Sequence, residues 1–233
     1  MPALAALLAL ADQRLPSGGH VHSGGVEQAI ADGLLLDGAG LRAFLRRRLV
    51  TAGRVSAGLA VAAFALTADG VARLDAEADA RMPSPAVRDA SRAQGRGLLR
   101  TVRSAWAAPH ADLSWATLGP RPHHPVVLGC AARAAGLDAV GTATVAAYLS
   151  VTGPATAAQR LLALDPVETA AITLELNDEL DALAMAVAAG VAWVAWVAAS
   201  PDGLPNGLPD DGDPWLDLLA ERHRAREMTL FAS

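Results

Sequence analysis

Apolar residues recur along this chain at intervals of three and four and nowhere alternate over a useful length, so helices are expected throughout. Leu4, Leu7, Leu8 and Ala11 share one such face, which stops at Leu15-Pro16-Ser17-Gly18-Gly19, where Pro and paired Gly interrupt any regular element. A polar loop through His20, Val21, His22 and Ser23 leads to a short helix over 26–32, which Gly33 can close from the C′ position. Asp37 is the expected N-cap of a long helix with Leu41, Phe44, Leu45, Leu49 and Ala52 on its face. That helix is expected to run to about residue 68, with bends at Gly53 and Gly58.

Val71, Leu74 and Ala78 mark a helix over 70–81 that Pro83 and Pro85 terminate, and Ser84-Pro85 then reads as N-cap and N1 of a helix reaching Trp106. The stretch 109–122 is expected to be irregular, and separate helices are expected at 126–135, 139–150 and 155–164, divided by Gly, Pro or Asp. Beyond Asp165-Pro166, the residues Ile172, Leu176, Leu180, Leu183 and Val187 form the clearest single face, on one helix to about 199. Residues 200–214 are dense in Pro, Gly and Asp and read as a flexible connector delivering 215–228 as a detached final helix. The expected architecture is all-α. It is a single globular helical domain of about eight to ten helices over 1–200, followed by a connector and C-terminal partner-binding helix over 201–233.

Composition narrows the class. Hydrophobic residues make up 52% and aromatic ones only 4%, so the apolar mass is Ala, Leu and Val, which suits close helix–helix packing. All 19 basic residues are Arg; without a Lys the chain can be neither a phosphate-loop NTPase nor a pyridoxal enzyme. The net charge of −5 argues against nucleic acid as a partner. A single Cys permits no internal disulfide and suits a reducing cytosol. The apolar stretch 3–11 lacks the basic flank of a signal peptide, and the uncharged stretch 182–199 is Ala- and Gly-rich beside an acidic cluster, so a buried core helix is expected there and a cytoplasmic protein overall.

Candidate chemistry is sparse. In an extended loop His20 and His22 point the same way and could share a metal weakly, while the plainer role is to hydrogen-bond the next helix. Arg88, Arg92, Arg96, Arg100 and Arg103 form a basic stripe, fit either to grip an acidic partner or a phosphate, or to pair with Asp75, Glu77 and Asp79. Arg46-Arg47-Arg48 cannot share a face and reads as solvated surface. Adjacent His123 and His124 diverge, and Cys130 is expected as a small buried hydrophobe. Glu168, Glu175, Asp178 and Glu179 could hold a hard cation but are favoured as the wet side of a helix. No Gly-x-Ser-x-Gly elbow, Cys-x-x-Cys or His-Glu-x-x-His occurs, so the residues themselves name no reaction.

Several stretches, in order, resemble the UreF family of urease accessory proteins. Leu15-Pro16-Ser17-Gly18-Gly19 with His22-Ser23-Gly24-Gly25-Val26-Glu27 is similar to that family's leading signature. Arg88-Asp89-Ala90-Ser91 with Gly95-Arg96-Gly97-Leu98-Leu99 resembles its Arg-x-Ala-Ser and Gly-Arg-x-Leu run. His124-Pro125-Val126-Val127-Leu128-Gly129, Ala147-Tyr148-Leu149 and Ala157-Ala158-Gln159-Arg160-Leu161 resemble its central helices, and Leu230-Phe231-Ala232-Ser233 its terminus. The resemblance implies a non-enzymatic, homodimeric nickel-insertion chaperone subunit. It would bind UreD (UreH), recruit or regulate the GTPase UreG, and serve apo-urease, with no tightly bound cofactor and at most transient nickel. On this reading Arg14, His22, Ser23, Glu27, Arg92, Arg96, Tyr148 and Phe231 form a partner-binding or nickel-transit surface, with His20 and His22 as weak nickel contacts. Two departures stand out: His20-Val21 replaces the usual Phe-Ser, and Arg224-Ala225-Arg226 with Ala232 alters the tail. Rival readings are a helical adaptor unrelated to urease and a metal-dependent hydrolase.

Overall fold

The computed structural model describes residues 3–16, 22–108, 113–198, 208–226 and 229–231, with the side chains of 191–198 left aside. Every regular element among the described residues is helical: α1 (Leu4–Ala11), α2 (Val26–Ala31), α3 (Gly38–Arg48), α4 (Arg54–Ala65), α5 (Ala68–Ala80), α6 (Pro85–Ala105), α7 (His124–Ala134), α8 (Ala139–Leu162), α9 (Pro166–Leu174), α10 (Asn177–Ala198) and α11 (Pro214–Arg224). The start signals act as read. Asp37 accepts from the Gly40 amide at 2.8 Å, and Ser84 accepts from Val87 with Pro85 in the first turn of α6.

α4 is the central rod, packed on α7, α8 and α10. Leu59, Val61 and the small residues Ala57, Ala60, Ala62 and Ala63 are all buried, so beyond its first turn it is apolar around most of its circumference, as a core helix must be. Its approach to α7 depends on absent side chains: a Cβ on Gly129 would stand 2.0 Å from the Ala60 carbonyl oxygen. Burial of each large apolar side chain here stabilises the fold by roughly 1.5–3 kcal/mol. A second cluster gathers Val26, Leu41, Leu45, Ile172, Leu176 and Leu219 from α2, α3, α9, α11 and the α9–α10 junction. The helical stretch Gly38–Ala65 is long and apolar enough to cross a membrane, but more than half of its most apolar window is buried inside the protein.

Three elements differ from the sequence reading. α3 and α4 are joined by a π-helical turn, Leu49–Gly53, in place of simple bends at glycine. Its wider turn advances less per residue than an α-turn and offsets the drift of a 3.6-residue period, keeping Arg48, Ala52 and Ser56 on one side of the rod. α8 runs unbroken through Pro154, where two helices were expected. Pro154 cannot donate to the Ser150 carbonyl four residues earlier, but the Arg48 Nε–H donates to that oxygen at 3.0 Å instead. Conversely, the expected single helix after Pro166 breaks at Glu175–Leu176, which buries Leu176 completely while Glu175 accepts from Arg42 Nε at 2.6 Å. The region read as irregular includes a 3-10 turn, Trp115–Leu118, and its residues 109–112 lie outside the described ones.

Most of the expected connector, residues 199–207, also lies outside the described residues. The final helix α11 is packed against α2 and α6 and not detached. Trp215 meets Phe44 edge-on at 5.7 Å between centroids, under the Arg47 guanidinium at 4.6 Å. Glu221 accepts from the Ser84 hydroxyl at 2.6 Å and the Ala86 amide at 2.8 Å, so α11 helps to cap α6.

Candidate functional site

The three consecutive arginines at the end of α3 point in three directions, as 100° steps require. Arg46 pairs with Glu179 at 2.7 Å, Arg47 donates to Asp213 at 2.8 Å, and Arg48 turns inward. Besides bonding Ser150, Arg48 donates to the Gly24 carbonyl at 2.9 Å. Gly24 sits at φ +59, and a Cβ there would lie 3.0 Å from both the Arg48 guanidinium carbon and the Pro154 ring. Glycine is therefore required by conformation and by space.

Two cavities, about 170 and 130 Å³, meet at a shared wall of His22, Gly24, Arg48, Ala52, Ser56, Gln94 and His124. The larger opens toward Asp211, Asp213 and Asp217, and the smaller toward Asp12 and Gln13. Burial, with His22 adding to it, pushes the His124 imidazole down to about 4, so it is neutral at physiological pH.

Beneath this wall lies a polar network. His123 is fully enclosed, with Nδ1 3.0 Å from the Ser91 hydroxyl and Nε2 2.9 Å from Asp79. Its amide donates to Asp75 at 2.8 Å, and Arg92 bridges Asp75 and Asp79 at 2.9 and 2.7 Å. Burial lowers the His123 pKa and outweighs the neighbouring carboxylates. Ser91, His123 and Asp79 share the residue types of a hydrolytic triad, but the imidazole has no exposed surface and Arg92 neutralises the carboxylate. The Ser91 hydroxyl also accepts from the His124 amide at 3.3 Å, so the network fixes the start of α7. Among the described residues no three His, Cys, Asp or Glu side chains converge as a metal-holding group.

The profile of the UreF family matches residues 35–177. The chain belongs to the UreF family. Urease accessory protein UreF of Mycolicibacterium vanbaalenii is 49% identical over 235 residues, covering all of both chains. The proteins of the same name from Mycobacterium sp. strain JLS and Mycobacterium tuberculosis strain H37Ra are 49% and 45% identical, again over the whole of each. This UreF-family chain is thus an accessory protein and not a catalyst.

The fold distributes the UreF signature residues among different tasks. Arg14 is exposed and, among the described residues, paired only locally, with Asp12 at 2.7 Å. It shares a shallow depression between α1 and α8 with Leu8 and Tyr148. Ser23 is fully buried, its hydroxyl without a hydrogen-bond partner among the described residues, and His22 lines the cavity wall; His20 lies outside the described residues. Glu27 is buried and holds the chain's own tail. It accepts from His223 Nε2 at 2.9 Å and from the Leu230 and Phe231 amides at 2.8 and 2.9 Å. Burial would raise its pKa, but these hydrogen bonds prevail and hold it below the usual carboxylate range. Arg92 serves the His123 network, whereas Arg96 is exposed beside Arg100 and Arg103 in an open depression with Gly119 and Pro120. The basic stripe is thereby divided. Its first turns pair inward with acidic α5, and its last three arginines have no carboxylate partner among the described residues. Of the acidic set on α9 and α10, Glu175 and Glu179 pair with α3, and Cys130 is buried with its thiol pushed up to about 12.

The sequence reading missed Arg48, Gln94, His124 and His223 as organised groups. One signal was available for Arg48: a proline inside a continuous apolar pattern leaves a carbonyl that some distant donor must satisfy.

Proposed function

We propose that this UreF-family chain acts in urease maturation as a cytoplasmic, homodimerising platform. It binds UreD (UreH), recruits or regulates the GTPase UreG, and assists nickel delivery to apo-urease. The full-length likeness to urease accessory proteins supports the setting. The lack of any Lys agrees with nucleotide chemistry belonging to another subunit. Nickel is cargo in this reading. Of the residues expected at a nickel-transit surface, Ser23 and Glu27 are enclosed, so His22 is the ligand type that reaches open space.

The observation that carries the recognition role is the α1–α8 depression, where Arg14, Tyr148 and the exposed Leu8 stand together. An exposed aromatic and an arginine beside apolar surface are the side chains that most often anchor a protein interface. The test is co-expression with UreD, UreG and the urease subunits, comparing wild type with Tyr148→Ala/Arg14→Ala. Loss of about 2 kcal/mol of binding at such an anchor, roughly thirtyfold, is the expected result, with helical content and unfolding midpoint unchanged. Retention of both co-purification and urease activation would overturn it.

A further inference from the structure

Arg48 raises a problem that its structural duties leave open. Its Nε and one terminal nitrogen each donate to a carbonyl, from Ser150 and Gly24, yet no carboxylate lies within ion-pair distance among the described residues. Of the acidic groups at the outer ends of the two cavities, Asp12 pairs with Arg14, Asp213 with Arg47, and Asp211 with Arg54 at 3.4 Å, while burial and the neighbouring Asp213 and Glu221 raise the Asp217 pKa and so disfavour its charged form. Withdrawal from bulk water brings the Arg48 guanidinium down to about 10, the mark of a cation in an unfavourable setting. Carbonyl dipoles satisfy two of its donors but do not neutralise its charge, and a half-buried charge without a counter-ion is costly.

The groups around it are donors. On the shared wall stand the Gln94 amide, the Ser56 hydroxyl and the imidazoles of His22 and His124, the last at the first turn of the 11-residue helix α7. That helix end adds partial positive charge on the same side. The π-turn keeps Arg48 and Ser56 on one face of the rod, and the smaller cavity, about 130 Å³, has room for an anion of a few heavy atoms. We propose that the cavity wall formed by Arg48, His22, His124, Gln94 and Ser56 is an interior binding site for a small oxyanion. Arg48 supplies the charge and the donors left on its terminal nitrogens, and the surrounding side chains complete the shell. This inference rests on the cavity geometry and stands whether or not the α1–α8 depression binds UreD.

The test uses the purified full-length chain with formate and phosphate as probes, against chloride at equal ionic strength. Side-chain nitrogen signals of His22 and His124 are followed by NMR, and affinity by calorimetry. The expected result is saturable binding of one or both probes, with both imidazole signals moving along the same curve. Gln94→Leu, which removes a wall donor without touching the Arg48–Ser150 bond, should weaken binding by about tenfold. Arg48→Lys should weaken it at least as much where it folds, and Arg100→Gln, on the exposed basic depression, should leave it unchanged. Absence of saturable binding, or binding that survives Gln94→Leu but is lost in Arg100→Gln, would overturn the proposal.

Discussion

The α4–α7 seam and the seat of the tail are held in opposite ways. At the seam, helices touch through backbone and methyl groups, with Ala60, Ala63 and Gly129 in contact and no charged partner required. At the tail, Glu27 on a six-residue helix gathers three hydrogen bonds from residues about two hundred positions later in the chain. Packing of the first kind is insensitive to pH and intolerant of volume; a buried carboxylate is the reverse, tolerant of nearby size changes and sensitive to its own charge. A partner protein could therefore compete for the tail without disturbing the centre.

Four experiments separate these regimes. Gly129→Val places a branched side chain where even a Cβ would stand 2.0 Å from a carbonyl oxygen, so α7 must shift along its length. A loss of about 3 kcal/mol or more is expected, read from the denaturant midpoint, and an unchanged midpoint would show that the seam is loosely packed. Glu27→Gln keeps the shape and removes the charge. It should cost about 1.5–3 kcal/mol locally, seen as faster amide exchange over residues 214–231 with α4 and α7 still protected. Acid should reproduce this effect. The Glu27 pKa is depressed in the folded state, so its contribution is complete above the ordinary value of 4.5 and is lost as pH falls through the folded one. Tail exchange should thus rise below that value before the core opens. The smallest change is expected from Arg42→Ala, which breaks an exposed pair with Glu175 and should shift stability by no more than about 1 kcal/mol. A larger loss would mean that this pair sets the α9–α10 break.

What the chain disclosed by itself was mainly local. Asp37, Ser84 and Pro85 carry their capping chemistry in their own side chains, and the 3.6-residue faces of α3 and α6 need no knowledge of a partner. The errors arose where a distant group overrules a local rule. Pro154 normally ends a helix, but a donor 102 positions upstream satisfies the freed carbonyl. Leu176 and Leu180 continue one apolar face, but the chain turns between α9 and α10 to bury Leu176 while Glu175 reaches Arg42. The candidate site behaved likewise. Glu27 reads as a surface acid because nothing near it in sequence announces His223, 196 residues away, whereas Arg14 and Tyr148 each looked exposed and only the fold showed that they are neighbours.

The repair of α8 at Pro154 makes that helix conditional on another segment. Synthesised alone, a peptide spanning Ala139–Leu162 would lack the guanidinium that completes its bonding and should fray into two pieces at Ser150. On the ribosome the donor emerges first and its acceptor 102 residues later, so the bond that completes α8 can form only once both segments have been made.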